Sequence, residues 1–307
     1  MSEQTLKKIF ATLGVLVVLW GLSSLLSGRG SGGSSTSDGG VATALAGLDG
    51  TSVESVRIDG PLATLTLERD AGAWTVEGYP ADSAAVERLW DALADSKVSG
   101  VVASNPANHE RMGVSPDSAW TLDLTRAGGE VSSILIGKSG PTYPSAYARL
   151  SGEDAVVVIS GDLRSAVARG LVAWRDKTVL QTDTAAVSRI VVETGGNTHT
   201  LERADSVWTV DGQVASTTAV GSLVRELNLL VATGFVEDGP PNEGDPRRVT
   251  ALSAAGDTLM TVLLTGTGDP RHARVPDSDI VFEIPVWRVD RIAPSLETLL
   301  AEEGTGS

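Results

Sequence analysis

The sequence predicts an α+β fold: two tandem repeats of antiparallel sheet with a packed helix, preceded by one transmembrane helix. Two observations lead to this prediction. Residues 67–78 return at residues 201–212, with Leu, Glu, Arg, Trp, Thr, Val and Gly recurring 134 positions later. Residues 9–26 form an uncharged apolar run, whereas the rest of the chain has the mixed composition of globular domains.

The apolar run predicts a membrane anchor. As a helix, residues 9–26 would extend about 27 Å, close to the hydrocarbon thickness of a bilayer. Lys7 and Lys8 precede the run, which places residues 1–8 in the cytoplasm and the body outside it, at the cell (inner) membrane. A cleaved signal peptide is the alternative. The length of the run and the lack of a small-residue cleavage site favour an uncleaved anchor.

The segment after the anchor, residues 27–49, is rich in Gly and Ser and predicts a flexible tether. The first repeat, residues 50–172, opens with alternating apolar and polar residues that predict strands. Asp82 is the expected N-cap of a helix whose apolar face would pack on the sheet. The later strands of this repeat are predicted at residues 98–103, 120–126, 131–136, 146–150 and 156–159, followed by a closing helix at 162–169.

A connector at residues 173–183 leads to the second repeat, residues 184–296, and a tail at residues 297–307. The helix of the first repeat matches residues 217–227 without a gap. Farther along, residues 148–159 match residues 273–284 at an offset of 125 rather than 134. The second repeat has therefore lost nine residues between Phe235 and Arg271.

Four segments resemble the DUF4340 family, whose domain of unknown function occurs in bacterial envelope proteins. They are residues 74–93, the run from Asn105 to Val114, the stretch from Leu135 to Leu150, and residues 174–187. The family usually has an aromatic residue before the Gly that stands here at Gly113. The resemblance implies an anchored extracytoplasmic protein associated with ABC-type export systems similar to the gliding-motility transporter. It implies no catalytic residues.

Composition excludes several classes of site. The net charge of −15 disfavours binding to nucleic acid, because an acidic surface repels phosphate backbones. The chain has no Cys, which excludes disulfides, Cys-dependent metal sites, Cys nucleophiles and a lipid-modified Cys anchor.

The motifs predict neither an enzyme nor a cofactor or metal site. Residues 135–141 resemble part of a phosphate loop, but Ser132 stands where a Gly is required, and Gly140-Pro141 prevents the helix that should follow. The three histidines lack metal-binding spacing, and His199 is expected to face solvent from a strand. No Gly-x-Ser-x-Gly elbow occurs.

The Gly- and Pro-rich connection after residue 136 is the best candidate for a binding surface, since loops carry function more often than cores do. Its candidate residues are Lys138, Tyr143, Tyr147 and Arg149. The alternative is an ordinary connection between strands. Trp74 and Trp208, at equivalent positions, are expected to anchor the cores of the two repeats; an exposed aromatic platform is the alternative.

We therefore expect a membrane-anchored accessory or binding protein whose partners are the membrane and subunits of an ABC-type permease and ATPase. The alternative is an independent binding module for an envelope glycan, lipid or peptide. An uncharacterised enzyme ranks third, because it requires a pocket with converging polar side chains.

Overall fold

A computed structural model describes residues 40–46, 48, 50–237 and 244–300. In these residues the dominant elements are two large antiparallel sheets, accompanied by a smaller helical content. None of the helices in the described residues is both long and apolar enough to span a membrane. The predicted anchor, residues 9–26, lies outside the described residues.

The first sheet has nine strands in the order β4-β3-β2-β1-β6-β7-β8-β9-β5. Its strands are β1 (Val53–Asp59), β2 (Thr64–Asp70), β3 (Ala73–Val76), β4 (Tyr79–Pro80), β5 (Lys97–Ala103), β6 (Trp120–Arg126), β7 (Val131–Ser139), β8 (Ser145–Leu150) and β9 (Val156–Ser160). Its helices are α1 (Val41–Leu45), α2 (Ser83–Asp95), α3 (His109–Met112) and α4 (Leu163–Val167), with short 3-10 turns at Pro106–Asn108 and Leu171–Ala173.

The second sheet repeats this order as β14-β13-β12-β11-β17-β18-β19-β20-β16. A separate two-stranded ladder joins β10 (Thr178–Gln181) to β15 (Leu229–Val231). The remaining strands are β11 (Arg189–Thr194), β12 (Asn197–Ala204), β13 (Val207–Val210), β14 (Gln213–Val214), β16 (Gly234–Phe235), β17 (Arg247–Leu252), β18 (Thr258–Thr265), β19 (Arg271–Arg274) and β20 (Phe282–Ile284). The helices are α5 (Thr217–Asn228), α6 (Val286–Ile292) and α7 (Leu296–Leu300).

The internal repeat seen in the sequence extends to strand register. Val56 pairs with Leu67 in the first sheet, and the residues 134 positions later, Ile190 and Leu201, pair in the second. The turn between β3 and β4 has two residues with positive φ, and so does the turn between β13 and β14. Two-residue turns of this kind match the twist of hairpin strands and fix their register.

One long helix crosses each sheet. α2 begins after the edge strand β4 and is followed by β5 at the opposite edge, so the chain crosses one face of the sheet between these two strands. The carboxylate of Asp82 accepts a hydrogen bond from the amide of Ala85 at 2.8 Å, which confirms the predicted N-cap. In α5 the hydroxyl of Ser216 accepts from the amide of Ala219 at 3.3 Å.

A separate apolar core lies between each sheet and its helices. Trp74 and Trp208 pack against the margins of these cores but are only half-buried, and the ring of Trp74 lies 5.6 Å from that of Trp90. Trp174 is the tryptophan that is fully buried among the described residues. The equivalent tryptophans therefore close the edges of the cores rather than fill their centres.

The segment predicted as a tether ends in folded structure. α1 places Val41 and Ala44 in the first core, because residues three apart share one face of a helix. The amide of Gly40 donates to Oε2 of Glu153 at 2.8 Å. Docking on the sheet, and not helix propensity, accounts for so short a helix.

The segment predicted as a connector divides between the two cores. Trp174 belongs to the first core, whereas Val179 and Leu180 are buried in the second. The carbonyl of Trp174 accepts a hydrogen bond from the amide of Asp82 at 2.8 Å, directly before α2. Since β10 also pairs with β15, the segment completes both repeats.

The side chain of Arg175 links the two repeats. Its guanidinium carbon lies 3.8 Å from the centroid of the Tyr79 ring and 3.6 Å from that of Phe235, one ring from each sheet. Nη1 also lies 2.5 Å from Oε1 of Glu237. Arg175 is only 3% exposed, and a desolvated cation binds aromatic faces more strongly than an exposed one.

The predicted tail begins with buried structure. Leu299 is fully buried in the second core, and its carbonyl accepts from the amide of Ser216 at 2.8 Å. This contact repeats the bond between Trp174 and Asp82. Each long helix is therefore held at its N-terminus by the segment that follows its own sheet. Residues 301–307 lie outside the described residues.

We expect Trp174→Ala to lower the free energy of unfolding by about 3–5 kcal/mol, because removing a buried aromatic side chain leaves a cavity in the core. Trp287→Ala is the matched control, since Trp287 is 47% exposed; it should cost less than about 1 kcal/mol. Urea unfolding of the full chain followed by circular dichroism measures both. Equal losses in the two variants would contradict this account of the connector.

Candidate functional site

The four residues of the predicted binding surface have different environments. Tyr143 is 93% exposed on the turn between β7 and β8. Nζ of Lys138 donates to the carbonyl of Arg111 at 3.1 Å. Tyr147 packs, half-buried, against a small apolar cluster, and Arg149 is 7% exposed. Tyr143 and Lys138 are thus accessible to a ligand, whereas Tyr147 and Arg149 are engaged by other parts of the chain.

Lys138, Tyr147 and Arg149 hold residues 105–114 against the outer face of the first sheet, opposite α2. Met112 and Val114 of this segment form a cluster with Val156 of β9. We call residues 105–114 the covering segment.

Arg149 makes the main polar contacts to the covering segment. Its Nε and Nη2 donate to the carbonyl of Val114 at 3.2 and 3.0 Å, and Nη1 donates to the carbonyl of Glu153 at 2.8 Å. Burial lowers the pKa of Arg149, an effect that the charge of Asp154 partly offsets. A desolvated guanidinium needs such acceptors, so Arg149 binds main-chain oxygens as a structural part of the first repeat.

Two glycines allow the covering segment to approach the sheet. Gly113 ends α3 in the left-handed conformation with φ of 70°, which a glycine adopts readily after a short helical turn. A Cβ on Gly137 would overlap the carbonyl oxygen of Met112 and lie 2.8 Å from a methyl group of Val114. Gly137 lies inside β7, a strand that continues to Ser139, and the resemblance to a phosphate loop is therefore superficial.

The equivalent face of the second sheet carries a cavity of about 420 Å³. Leu263 pairs with Arg274 in this sheet as Leu135 pairs with Arg149 in the first. The charged and polar lining includes Glu193, Arg247, Arg248, His272 and Arg274, and the apolar lining includes Pro246, Leu263, Ala273 and Val281. A volume of this size and a mixed lining are typical of small-ligand and peptide sites.

The cavity is basic although the protein is strongly acidic. Arg248 and Glu193 form an ion pair at 3.5 Å with both side chains about half exposed. The side chain of Arg274 is exposed and has no ion-pair or hydrogen-bond partner among the described residues. An unpaired guanidinium beside a second arginine and His272 favours an anionic ligand.

One end of the cavity is held in place by a network of ion pairs. Arg247 lies 3.0 Å from Asp245 and 3.1 Å from Asp290, and Arg271 lies 3.0 Å from the same oxygen of Asp245. Burial acts to raise the pKa of Asp245, but the hydrogen bonds and charges of Arg247 and Arg271 outweigh it and lower the pKa. Arg247 is thereby committed to structure and Arg248 is paired with Glu193, which leaves Arg274 as the unpaired arginine of the cavity.

Among the described residues, no group of three His, Asp or Glu side chains is placed to hold a metal ion. His199, expected to face solvent, is only 14% exposed and lies 2.8 Å from a carboxylate oxygen of Asp211. The pKa of Asp211 is lowered, first by the hydrogen bond from the amide of Thr200 and then by that from His199. This pair secures the turn that follows β13. His109 contacts the carbonyl of Asp154 at 3.0 Å and so also helps to hold the covering segment.

The family model for a domain of unknown function, DUF4340, matches residues 74–252. The chain belongs to the DUF4340 family. The match runs from β3 of the first sheet to β17 of the second and includes the covering segment and the residues that join the two repeats. Half of the residues that line the cavity, including Leu263, His272 and Arg274, lie beyond the matched residues. No curated protein and no solved structure matches the chain significantly.

The sequence signal for the cavity is a difference between the two repeats and not a motif. Arg274 aligns with Arg149, and nine residues are missing from the second repeat between Phe235 and Arg271. This shortened stretch corresponds to the part of the first DUF4340 repeat that contains the covering segment. The retained arginine and the shortened stretch, of which residues 238–243 lie outside the described residues, distinguish the second repeat from the first at this position.

We expect Gly137→Ala to destabilise the first repeat by about 1–3 kcal/mol, the usual cost of forcing extra atoms into a packed site. The added methyl group would meet backbone atoms of the covering segment, which cannot yield as a flexible side chain can. Gly170→Ala is the control, since its Cβ would meet nothing within 4 Å. Thermal unfolding of both variants tests this, and a neutral Gly137→Ala would show that the covering segment is loosely held.

Proposed function

We propose that this protein is a membrane-anchored, extracytoplasmic binding protein that takes up its ligand or partner in the cavity of the second sheet. The observation that supports it best is the contrast between equivalent faces. In the first sheet Arg149 is buried beneath a segment of the chain itself, whereas in the second Arg274 is exposed in a basic cavity. A retained arginine without a partner is explained by a ligand supplied from outside.

The chemistry of the cavity supports binding rather than catalysis. Its principal charged groups are arginines, whose guanidinium keeps its proton at any physiological pH and cannot act as a general acid or base. Glu193 is engaged by Arg248, and Arg247 by two aspartates. These groups position an anion well but are poorly suited to moving protons.

The anchor is proposed from residues 9–26 together with Lys7 and Lys8, which would place the folded body on the outer side of the cell membrane. Since the described residues begin at Gly40, the Gly- and Ser-rich stretch of the sequence before it would separate the body from the bilayer. Attachment of this kind raises the effective concentration of the cavity near membrane-bound partners.

Membership of the DUF4340 family supports the more specific proposal that these partners are permease and ATPase subunits of an ABC-type export or motility-related complex. The second candidate is an independent binding module for an envelope glycan, lipid or peptide. The cavity supports this second candidate because its lining belongs entirely to one repeat.

Affinity purification of the full chain from detergent-solubilised membranes separates the two candidates. An accessory subunit should recover ABC-type permease and ATPase subunits, identified by mass spectrometry. We expect Arg274→Ala to reduce their recovery at least several-fold, because it removes the exposed cation of the cavity. Arg189→Ala is the matched control, an exposed arginine of the same sheet outside the cavity. Equal recovery with Arg274→Ala and the wild type would contradict a role for the cavity.

The proposed topology has its own test. A cysteine introduced as Ser35→Cys is unique, because the chain has no other Cys. If the body is extracytoplasmic, a membrane-impermeant maleimide should label this cysteine in intact spheroplasts. Labelling that occurs only after lysis would contradict the topology and leave the cavity proposal to be judged separately.

A further inference from the structure

The ligand of the cavity can be inferred from what its counterpart holds, an inference that rests on the proposed function. In the first sheet, Arg149 donates three hydrogen bonds to two main-chain carbonyls, two of them to Val114. The side chain of Val114 is fully buried in the same place. This position of the sheet is thus built to receive a peptide oxygen next to an apolar side chain.

The second sheet keeps the parts that perform this task. Arg274 stands where Arg149 stands, paired with Leu263 as Arg149 is paired with Leu135. Val281 lines the cavity at the position of Val156, which packs against Met112 and Val114 in the first sheet. An arginine and the apolar side chains of Leu263 and Val281 are therefore available to a peptide that comes from another molecule.

Two differences change what the peptide must offer. Thr265 occupies the position of Gly137, so a backbone cannot approach this strand as closely as the covering segment approaches β7. Arg248 also lines the cavity, where its first-sheet counterpart is Thr121. A more distant ligand that faces a second guanidinium is better served by a carboxylate than by a neutral carbonyl.

We propose that the cavity binds the C-terminal carboxylate of a partner protein whose last residue is apolar. The two carboxylate oxygens would receive paired hydrogen bonds from the guanidinium of Arg274, and the apolar side chain would lie on Leu263 and Val281. Capture of a chain terminus by fixed donors is an established mode of peptide recognition. A side-chain carboxylate or a free anion would lack the adjacent apolar contact.

The covering segment supplies the probe. A peptide with the sequence of residues 105–114, labelled at its N-terminus and ending in the free carboxylate of its last valine, is titrated with the purified full chain by fluorescence anisotropy. The same peptide with an amidated C-terminus is the ligand control. We expect amidation to weaken binding at least tenfold, because it removes the charge and one acceptor. Equal affinity of the two peptides would overturn the proposal.

The matched protein variants are Arg274→Ala and Arg189→Ala, each checked by thermal unfolding. Arg274→Ala should weaken binding of the free-acid peptide at least tenfold, whereas Arg189→Ala should leave it unchanged. Thr265→Gly should tighten binding, since it restores the close approach that Gly137 permits. Retention of full affinity by Arg274→Ala, or weaker binding by a folded Thr265→Gly, would contradict the proposed pose.

Inorganic phosphate is the last ligand to be tested. If phosphate binds with the same dependence on Arg274 while neither peptide binds, the cavity is a site for small anions and the peptide proposal is wrong. If Arg274→Ala recovers fewer ABC-type subunits while the wild-type chain binds neither peptide, the proposed function is supported and this inference is wrong. Peptide binding without recovery of any such subunit would support this inference and favour the independent binding module over the ABC-type complex.

Discussion

The guanidinium of Arg175 lies between two aromatic rings that belong to different sheets, and the relation between the two halves of the molecule depends on it. Tyr79 ends the hairpin of the first repeat, and Phe235 lies on an edge strand of the second. A buried cation is costly unless it is compensated, and here two ring faces and the carboxylate of Glu237 compensate it. The backbone on either side belongs to opposite cores. Arg175 and its neighbours in the chain therefore join the two repeats.

The duplication has preserved the parts that specify the fold and changed those that cover its outer face. Register, turn conformation and helix caps recur from one sheet to the other, because each determines which side chains reach the core. The outer face is under no such constraint. There the first sheet has a glycine, a buried arginine and a covering segment, and the second has a threonine, an exposed arginine and a cavity.

Local signals in the sequence account for much of the fold. Alternation of apolar and polar residues predicted the opening strands of the first repeat, the duplication predicted their counterparts in the second, and Asp82 marked the start of the long helix. The location of β5 at the far edge, and the docking of α1, depend on tertiary packing and leave no local pattern. Arg149 resembled a surface residue because an arginine in a strand usually faces water, and only the carbonyls of Val114 and Glu153 explain its burial. The cavity is indicated by the differences between equivalent residues of the two repeats.

Thr265 in place of Gly137 also has a consequence for how this protein can change over generations. The side chains at the base of the cavity, such as Leu263 and Val281, point away from the second core, so substitutions there would cost little folding free energy. Val156, the equivalent of Val281 in the first sheet, packs against the covering segment, so substitutions there would loosen that segment. The two copies of the duplicated unit would therefore tolerate mutations unequally on the face opposite the long helix.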